Sequence, residues 1–354
     1  MFPILMIFTY GYPTDKRNNP QFIFIDGSIF LEFTNIIITA MNSARKWDVI
    51  GFGAIAVDDL MYVPSFPQPN TKIEVIKRER QGGGLAGTAL VAASRLGARS
   101  AYFGLLGNND LSDFTIREFT RECVDTSLCP RNEKAMPIYS SIIVDTSTGE
   151  RTILYSLQNF TPPDPELIPK TLPADCKLVF VDTYFLSLIG YLVKLFHEWD
   201  TPVIADIESP RIMDFPEAMD AIDYLILSKD LATQITAASS PDEILHKLNT
   251  PQRKCSVITE GKRGCWFQEK SSAVYHMPAF NVDTVDTTGC GDVFHGAYAA
   301  ALVRGEGNTT AVIQASAAAA IKATKPGGRA GIPDLKTLLE FIGANSEIVP
   351  QMAK

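Results

Sequence analysis

Residues 286 to 292 read Asp-Thr-Thr-Gly-Cys-Gly-Asp, and an apolar run from Val293 to Leu302 follows at once. The pattern describes a polar turn, a hinge of small residues and one carboxylate at the first turn of a helix. Glycines on both sides of Cys290 let successive N–H groups point outward at the helix N-terminus, where unpaired donors and the helix dipole favour an anion. A lone Asp before a helix is usually a cap. Beside an anion hole, Asp292 can instead take a proton from a hydroxyl while the hole neutralises a moving phosphoryl group. His295 lies on the same helix and reads as a packed core histidine.

Asp286 to Asp292 resembles the DTxGAGD signature of the ribokinase-like (PfkB) family of sugar and nucleoside kinases, with Cys290 where alanine is usual. The resemblance implies Asp292 as catalytic base and Gly289, Cys290 and Gly291 as the backbone anion hole. It also implies ATP and Mg2+ as cofactors. Asp286 and Thr288 match positions that hold a potassium-type (K+) monovalent cation in some relatives.

The bulk composition fits that chemistry. A chain of 354 residues, 46% hydrophobic and 20% charged, can bury a large core. The net charge of −8, with no Lys/Arg-rich run, argues against nucleic acid or an anionic membrane as partner and favours small molecules. Six cysteines without CxxC or metal-ligand spacing suit free thiols in a reducing cytoplasm. No Walker A pattern occurs, which excludes a P-loop kinase.

Residues 1–46 form an extension with two apolar runs, both short of the roughly 18 uninterrupted residues of a membrane span. They lack a secretory-signal pattern, and Met41 opens a stretch that resembles an ordinary chain start. The extension is expected to lie outside the catalytic fold, which is assigned to 47–345, with 346–354 as a tail. Asp48 to Ala56 reads as a buried parallel strand ending at Val57-Asp58-Asp59-Leu60, where open α/β sheets bind ligands. Asp58 matches the family's substrate-binding Asp better than Asp59. Short alternating segments at about 59–77 and 136–156, the first interrupted by Pro64, Pro67 and Pro69, predict four strands outside the parallel core. By the resemblance they form a lid over the sugar and the interface of a homodimer.

Gln81-Gly82-Gly83-Gly84-Leu85-Ala86-Gly87 formally matches GxGxxG, but the charged Lys77 to Arg80 before it is unlike the apolar strand of a dinucleotide site. The stretch is similar to the family's first signature, usually GGxxxN, and places Gly83, Gly84 and Gly87 against substrate. Gly87 stands where asparagine is common, which removes a side-chain hydrogen bond to the substrate. The form GGGxAxTA resembles a branch that includes sulfofructose kinase.

From Ser100 onward, strands and helices alternate, predicting a mostly parallel sheet with helices on both faces. Asp110 matches the substrate-side GxD and is equally a cap for a helix starting at Leu111. Asp206 closes a strand near the expected phosphates. Ser228 and Leu231 replace the usual NxxE of magnesium ordering, leaving the nucleotide with water, or Asp230 or Glu260, to substitute. Thr259, Gly261 and Gly264 match the family's phosphate-contacting turn, while Ala318 and Gly327 are candidates for nucleotide contact. Together these readings give an ATP-dependent carbohydrate kinase acting on a hydroxyl, with a primary one favoured. A nucleoside kinase of the same fold, a catalytically silent sugar-binding regulator and a nicotinamide-dependent oxidoreductase are the alternatives.

Overall fold

The structure is a computed structural model that describes residues 45–270 and 272–353, so the expectation for 1–46 falls almost wholly outside the described residues. The main sheet runs β14-β13-β12-β11-β10-β9-β8-β1-β4-β5. Strands β1 (Trp47–Phe52), β4 (Ser100–Tyr102), β5 (Val124–Asp125), β8 (Cys176–Asp182), β9 (Val203–Asp206), β10 (Tyr224–Ser228) and β11 (Cys255–Thr259) are parallel. Antiparallel β12 (Cys265–Glu269), β13 (Val274–Met277) and β14 (Gln351–Met352) extend one edge. The last strand comes from the segment expected to be a tail.

Period-two alternation sorts the parallel strands between two cores. Val49, Phe180, Ile204, Ile226 and Val257 face α1 (Leu85–Arg95), α7 (Cys290–Val303) and α8 (Asn308–Ala323). Ile50, Val179, Val203, Leu225 and Ile258 face α3 (Leu186–His197), α5 (Lys229–Thr236) and α6 (Pro241–Leu248). The remaining helices are α2 (Asp110–Arg121), α4 (Pro216–Ala221) and α9 (Leu335–Ala344). Both faces of the sheet are thus covered, as a buried parallel sheet requires.

A second sheet, in the order β3-β2-β6-β7, is built from β2 (Ala56–Val63), β3 (Lys77–Gly83), β6 (Ile138–Asp145) and β7 (Arg151–Ser156). Two expectations are corrected here. The buried parallel strand ends at Phe52 rather than Ala56, and the first lid pair begins at Ala56 and ends at Gly83. The cause is Asp182 at the end of β8. Its Oδ2 accepts from the amide of Ala54 at 2.6 Å and that of Ala86 at 3.1 Å, and its Oδ1 accepts from Tyr184 at 2.9 Å. This clamp breaks the chain after Gly53, sends it into the lid and ties the start of α1 to the same point. Asp58 therefore stands on the lid itself.

Helices α1 and α7 cross closely because position 296 is glycine. A Cβ there would overlap the carbonyl oxygen of Ala89.

Candidate active site

The loop 286–289 enters α7 through Gly289, whose φ of 74° is left-handed and caps the helix. Cys290 donates its amide to the Thr287 carbonyl at 3.2 Å, whereas the amides of Gly289, Gly291 and Asp292 have no acceptor among the described residues. Of the three amides expected to form an anion hole, Cys290 N–H is spent on the turn, which corrects that member, while those of Gly289 and Gly291 stay without an acceptor among the described residues. Nothing lies within 4 Å of where a Gly291 Cβ would sit. That open space adjoins the free donors.

Asp292 lies in the first turn, half-buried. Desolvation pushes its carboxyl well above the usual range, and Glu208 and Asp182 push in the same direction against Arg329 and Lys322. Such a group binds a proton more readily than an ordinary aspartate, as a general base should. His295 is buried in the core. Its Nδ1 lies 2.9 Å from the Gly291 carbonyl, and desolvation pushes its pKa down to about 4, so it is neutral near pH 7 and braces the first turn.

Asp206 closes β9, and its Oδ2 is buried without a hydrogen-bond partner among the described residues. Desolvation, then Asp292 and Glu208, raise its pKa well above the usual range. Glu208 is solvent-exposed, yet the protein around it raises its pKa as well. Of the two substitutes considered for the missing NxxE glutamate, Glu260 is already engaged and Asp230 is open to solvent. Glu260 pairs with Lys229 at 2.6 Å and Arg263 at 2.9 Å. Asp230 is exposed in the first turn of α5, Ser228 caps that helix at 3.3 Å from the Leu231 amide, and Leu231 is buried.

A cavity of about 720 Å³ opens beside α7. Thr259, Gly261, Gly264, Cys290 and Gly291 line it, so five residues named from the sequence converge on one space. Ser316, Ala319, Ala320 and Ala323 form its α8 wall at helical i, i+3, i+4, i+7 spacing. Ala318 is on the other side of α8, fully buried in the core, so its expected contact with a nucleotide is corrected. Ser228 and Gly327 do not line the cavity either. Another cavity, of about 540 Å³, lies at Phe66, Asp145 and residues 149–152 on the lid, and shares no lining residue with the first.

Gly327 serves the catalytic loop instead. Its amide donates to Asp286 Oδ2 at 2.9 Å, while Asp286 Oδ1 accepts from the Thr288 amide at 2.8 Å, the Thr288 hydroxyl at 2.6 Å and Arg151 at 2.7 Å. These donors hold the Asp286 carboxyl far below its usual range despite desolvation. A monovalent cation at Asp286 and Thr288 would have to compete with Arg151, which reaches over from the lid. Buried Lys322 donates to the Asp286 carbonyl at 2.8 Å.

On the other side of Asp292, the lid separates its two adjacent acids. Asp59 is taken up by Arg80, with both contacts at 2.6 Å, and by the Tyr139 hydroxyl at 2.9 Å. Asp58 makes no ion pair among the described residues; it is hydrogen-bonded to Ser140, and desolvation raises its pKa. It packs against Gly83, where a Cβ would overlap its carboxyl. Asp110 is exposed at the start of α2, and Asn109 provides the cap, accepting from the Ser112 amide at 3.0 Å. The segment before Gly82 is the exposed lid strand β3, not a buried strand of the main sheet, which removes the structural basis of a dinucleotide site.

A parallel sheet under a β-lid, with a carboxylate at the N-terminus of a glycine-started helix, defines a kinase of the ribokinase-like fold. A ribokinase from Thermotoga maritima superposes with a TM-score of 0.71 at 23% identity, covering 84% of this chain and 99% of that one. Arabidopsis thaliana ribokinase, solved with ribose and ATP, gives a TM-score of 0.71 at 18% identity over 84% and 98%. In sequence, the chain is 25% identical to Haemophilus influenzae ribokinase over 303 residues, 82% of this chain and 96% of the relative. It is 22% identical to mouse ketohexokinase over 272 residues, 73% and 89%. The profile of the pfkB family carbohydrate kinases matches residues 48–335, and the chain belongs to that family.

The sequence reading missed Asp182, Glu208 and Lys322. Asp182 has a local signal, an Asp ending an apolar run. Nothing in its neighbourhood shows that it holds residues 54 and 86.

Proposed function

We propose that the protein transfers the γ-phosphoryl group of ATP to a hydroxyl of a small sugar or sugar derivative, with Asp292 as base. The observation that carries this reading is Asp292 in the first turn of α7 beside the acceptor-free amides of Gly291 and Asp292, where Gly291 also lines the 720 Å³ cavity. The nucleotide occupies the cavity with its phosphates toward the open space at Gly291, and Gly289 contributes a further free amide. Thr259, Gly261 and Gly264 border the nucleotide. The acceptor binds beneath the lid between Asp58 and Asp292, against Gly83 and Gly84, with Asp110 at the rim. Asp292 removes the hydroxyl proton as the oxygen attacks phosphorus, and the amides hold the charge on the transferring group.

Asp206, whose buried Oδ2 makes no hydrogen bond among the described residues and lies 3.4 Å from His295 Nδ1, and Glu208 offer the oxygen chemistry that Mg2+ prefers, and these residues would hold it through water. No cluster of three metal-ligating side chains occurs among the described residues, which suits an ion that keeps its water shell. Magnesium supplies charge neutralisation at the phosphates. An Escherichia coli structure assigned to ribokinase II holds ATP and Mg2+. Potassium would act only if Arg151 leaves Asp286.

A second copy of the chain covers the lid edge in this reading. Strand β7 is an edge strand exposing Ile153, Leu154 and Tyr155, at 47%, 57% and 62%. Sedimentation showing only monomer would remove that element. The cysteines of the described region are all free, which fits a cytoplasmic setting, and no described helix is long and apolar enough to cross a membrane.

The test is product analysis. Incubation with MgATP and a panel of ketoses, aldoses, sugar acids and nucleosides should give ADP and one phosphorylated sugar by mass spectrometry. Phosphorylation of nucleosides alone would replace the sugar reading with the nucleoside one. Binding of a sugar with no turnover would favour a silent regulator.

A further inference from the structure

Arg329, on the loop after α8, is 8% exposed and lies near enough to Asp58 and Asp292 for both to act on its charge. Its Nη2 donates to the Gly83 carbonyl at 2.8 Å, its Nε reaches the Thr88 hydroxyl at 3.4 Å, and its Cζ lies 5.7 Å from the centre of the Phe119 ring. The guanidinium fills space left by two absent side chains. A Cβ on Gly82 would overlap Nη1, and one on Gly87 would lie 2.6 Å from Nη2. Gly87 is the position where the family signature commonly has asparagine, so here an arginine from a distant loop stands in the room that side chain would need.

This cation is incompletely used. No carboxylate pairs with it among the described residues, although Asp58, Glu118, Glu122 and Asp292 are near enough to act on its charge. Nη1 has no acceptor among the described residues, yet it is not among their fully enclosed unpartnered atoms, so it borders accessible space. A buried guanidinium without a paired anion is costly, and a planar fork with free N–H groups matches an oxyanion. Desolvation already pulls its pKa down to about 10, which marks how little compensates the charge.

We propose that Arg329 binds an anionic group on the acceptor, so that the preferred substrate is a sugar bearing a carboxylate, sulfonate or phosphate besides the hydroxyl that is phosphorylated. This rests on the kinase reading above. Asp58 takes the neutral hydroxyls, Nη1 of Arg329 takes the oxyanion, and Asp292 faces the reacting hydroxyl. Glycine at 82 and 87 is what admits the guanidinium.

The experiment compares kcat/KM for fructose with fructose 6-phosphate and the 6-sulfonate analogue, and for a neutral deoxyhexose with the corresponding deoxy-keto acid, in wild type and Arg329→Gln. Wild type should favour at least one anionic member over its neutral counterpart by about 30-fold, the scale of one charged hydrogen bond. Arg329→Gln should collapse that ratio, and Arg329→Lys should retain part of it. The wild-type comparison needs no variant and stands even if Arg329→Gln folds poorly. Equal use of both members by the wild type overturns the inference, as does an equal loss on both in Arg329→Gln, which would make Arg329 a brace for the Gly83 loop. If no acceptor is phosphorylated, the kinase reading fails. The inference is then decided by calorimetric binding of the same pairs, where tighter binding of the anionic member to wild type alone supports it and equal binding overturns it.

Discussion

The two halves of the site are built from opposite materials. The half proposed for the nucleotide is backbone and small side chains: free amides at Gly291 and Asp292, and an α8 wall of Ser316, Ala319, Ala320 and Ala323. The half proposed for the acceptor has charged side chains in desolvated surroundings, Asp58 on the lid and Arg329 from the far loop. A surface of peptide groups can hold any nucleoside triphosphate by its phosphates, since every chain supplies the same donors. Charged side chains distinguish one acceptor from another, because an unmatched buried charge is expensive. The proposed mechanism thus expects generic recognition on one side of Asp292 and selective recognition on the other.

Apart from loss of Asp292 itself, the largest expected effect breaks the backbone half. Gly291→Val fills the open space at the anion hole without touching the core, so kcat should fall about 100- to 1,000-fold while the melting temperature stays near wild type. Kinetics and calorimetry on one preparation check this, and retained turnover would contradict it. Gly296→Ala does the reverse. Its Cβ would overlap the Ala89 carbonyl, and the crossing of α1 and α7 should lose about 3 kcal/mol in urea unfolding.

Two pH experiments probe the charged half. Asp292 must be ionised to act, and its pKa is raised, so the acid limb of kcat/KM should lie above the ordinary aspartate value of about 4. A limb at the ordinary value would contradict the environment described. Asp182 is raised to about 7 by desolvation, against an unfolded value of about 3.9. The folded protein therefore binds more protons between those values. The stability due to Asp182 is complete below about pH 4 and is lost as pH rises to about 7. Asp182→Asn cannot ionise and should remove that part of the slope of urea midpoint against pH; an unchanged slope would contradict the assignment. The smallest effect is at Arg151, which is 37% exposed and joins lid to loop. Arg151→Ala should raise acceptor KM a few-fold, in keeping with about 0.5–1 kcal/mol for a partly exposed pair.

What could be read beforehand follows the same division. The loop 286–292, the strand-helix alternation and the four lid strands leave local patterns, and each was legible. The cavity wall was misplaced by one helical position, because Ala318 and Ala319 look alike in an alanine-rich helix and only packing shows which one faces the cavity. The end of β1 was misplaced because the break after Gly53 is enforced by Asp182, 128 residues from Ala54. Arg329 had no local signal either, since Gly87 reads as a backbone position against substrate until the guanidinium occupying the space beside Gly82 and Gly87 is seen.

Acceptor-dependent ADP formation from MgATP by wild type and Asp292→Asn, alongside their melting temperatures, tests the account most directly. The expected result is loss of about 1,000-fold or more in kcat with the fold and nucleotide binding retained, as removal of a general base requires. Turnover in Asp292→Asn within a few-fold of wild type would contradict the assignment of the base and, with it, the proposed mechanism.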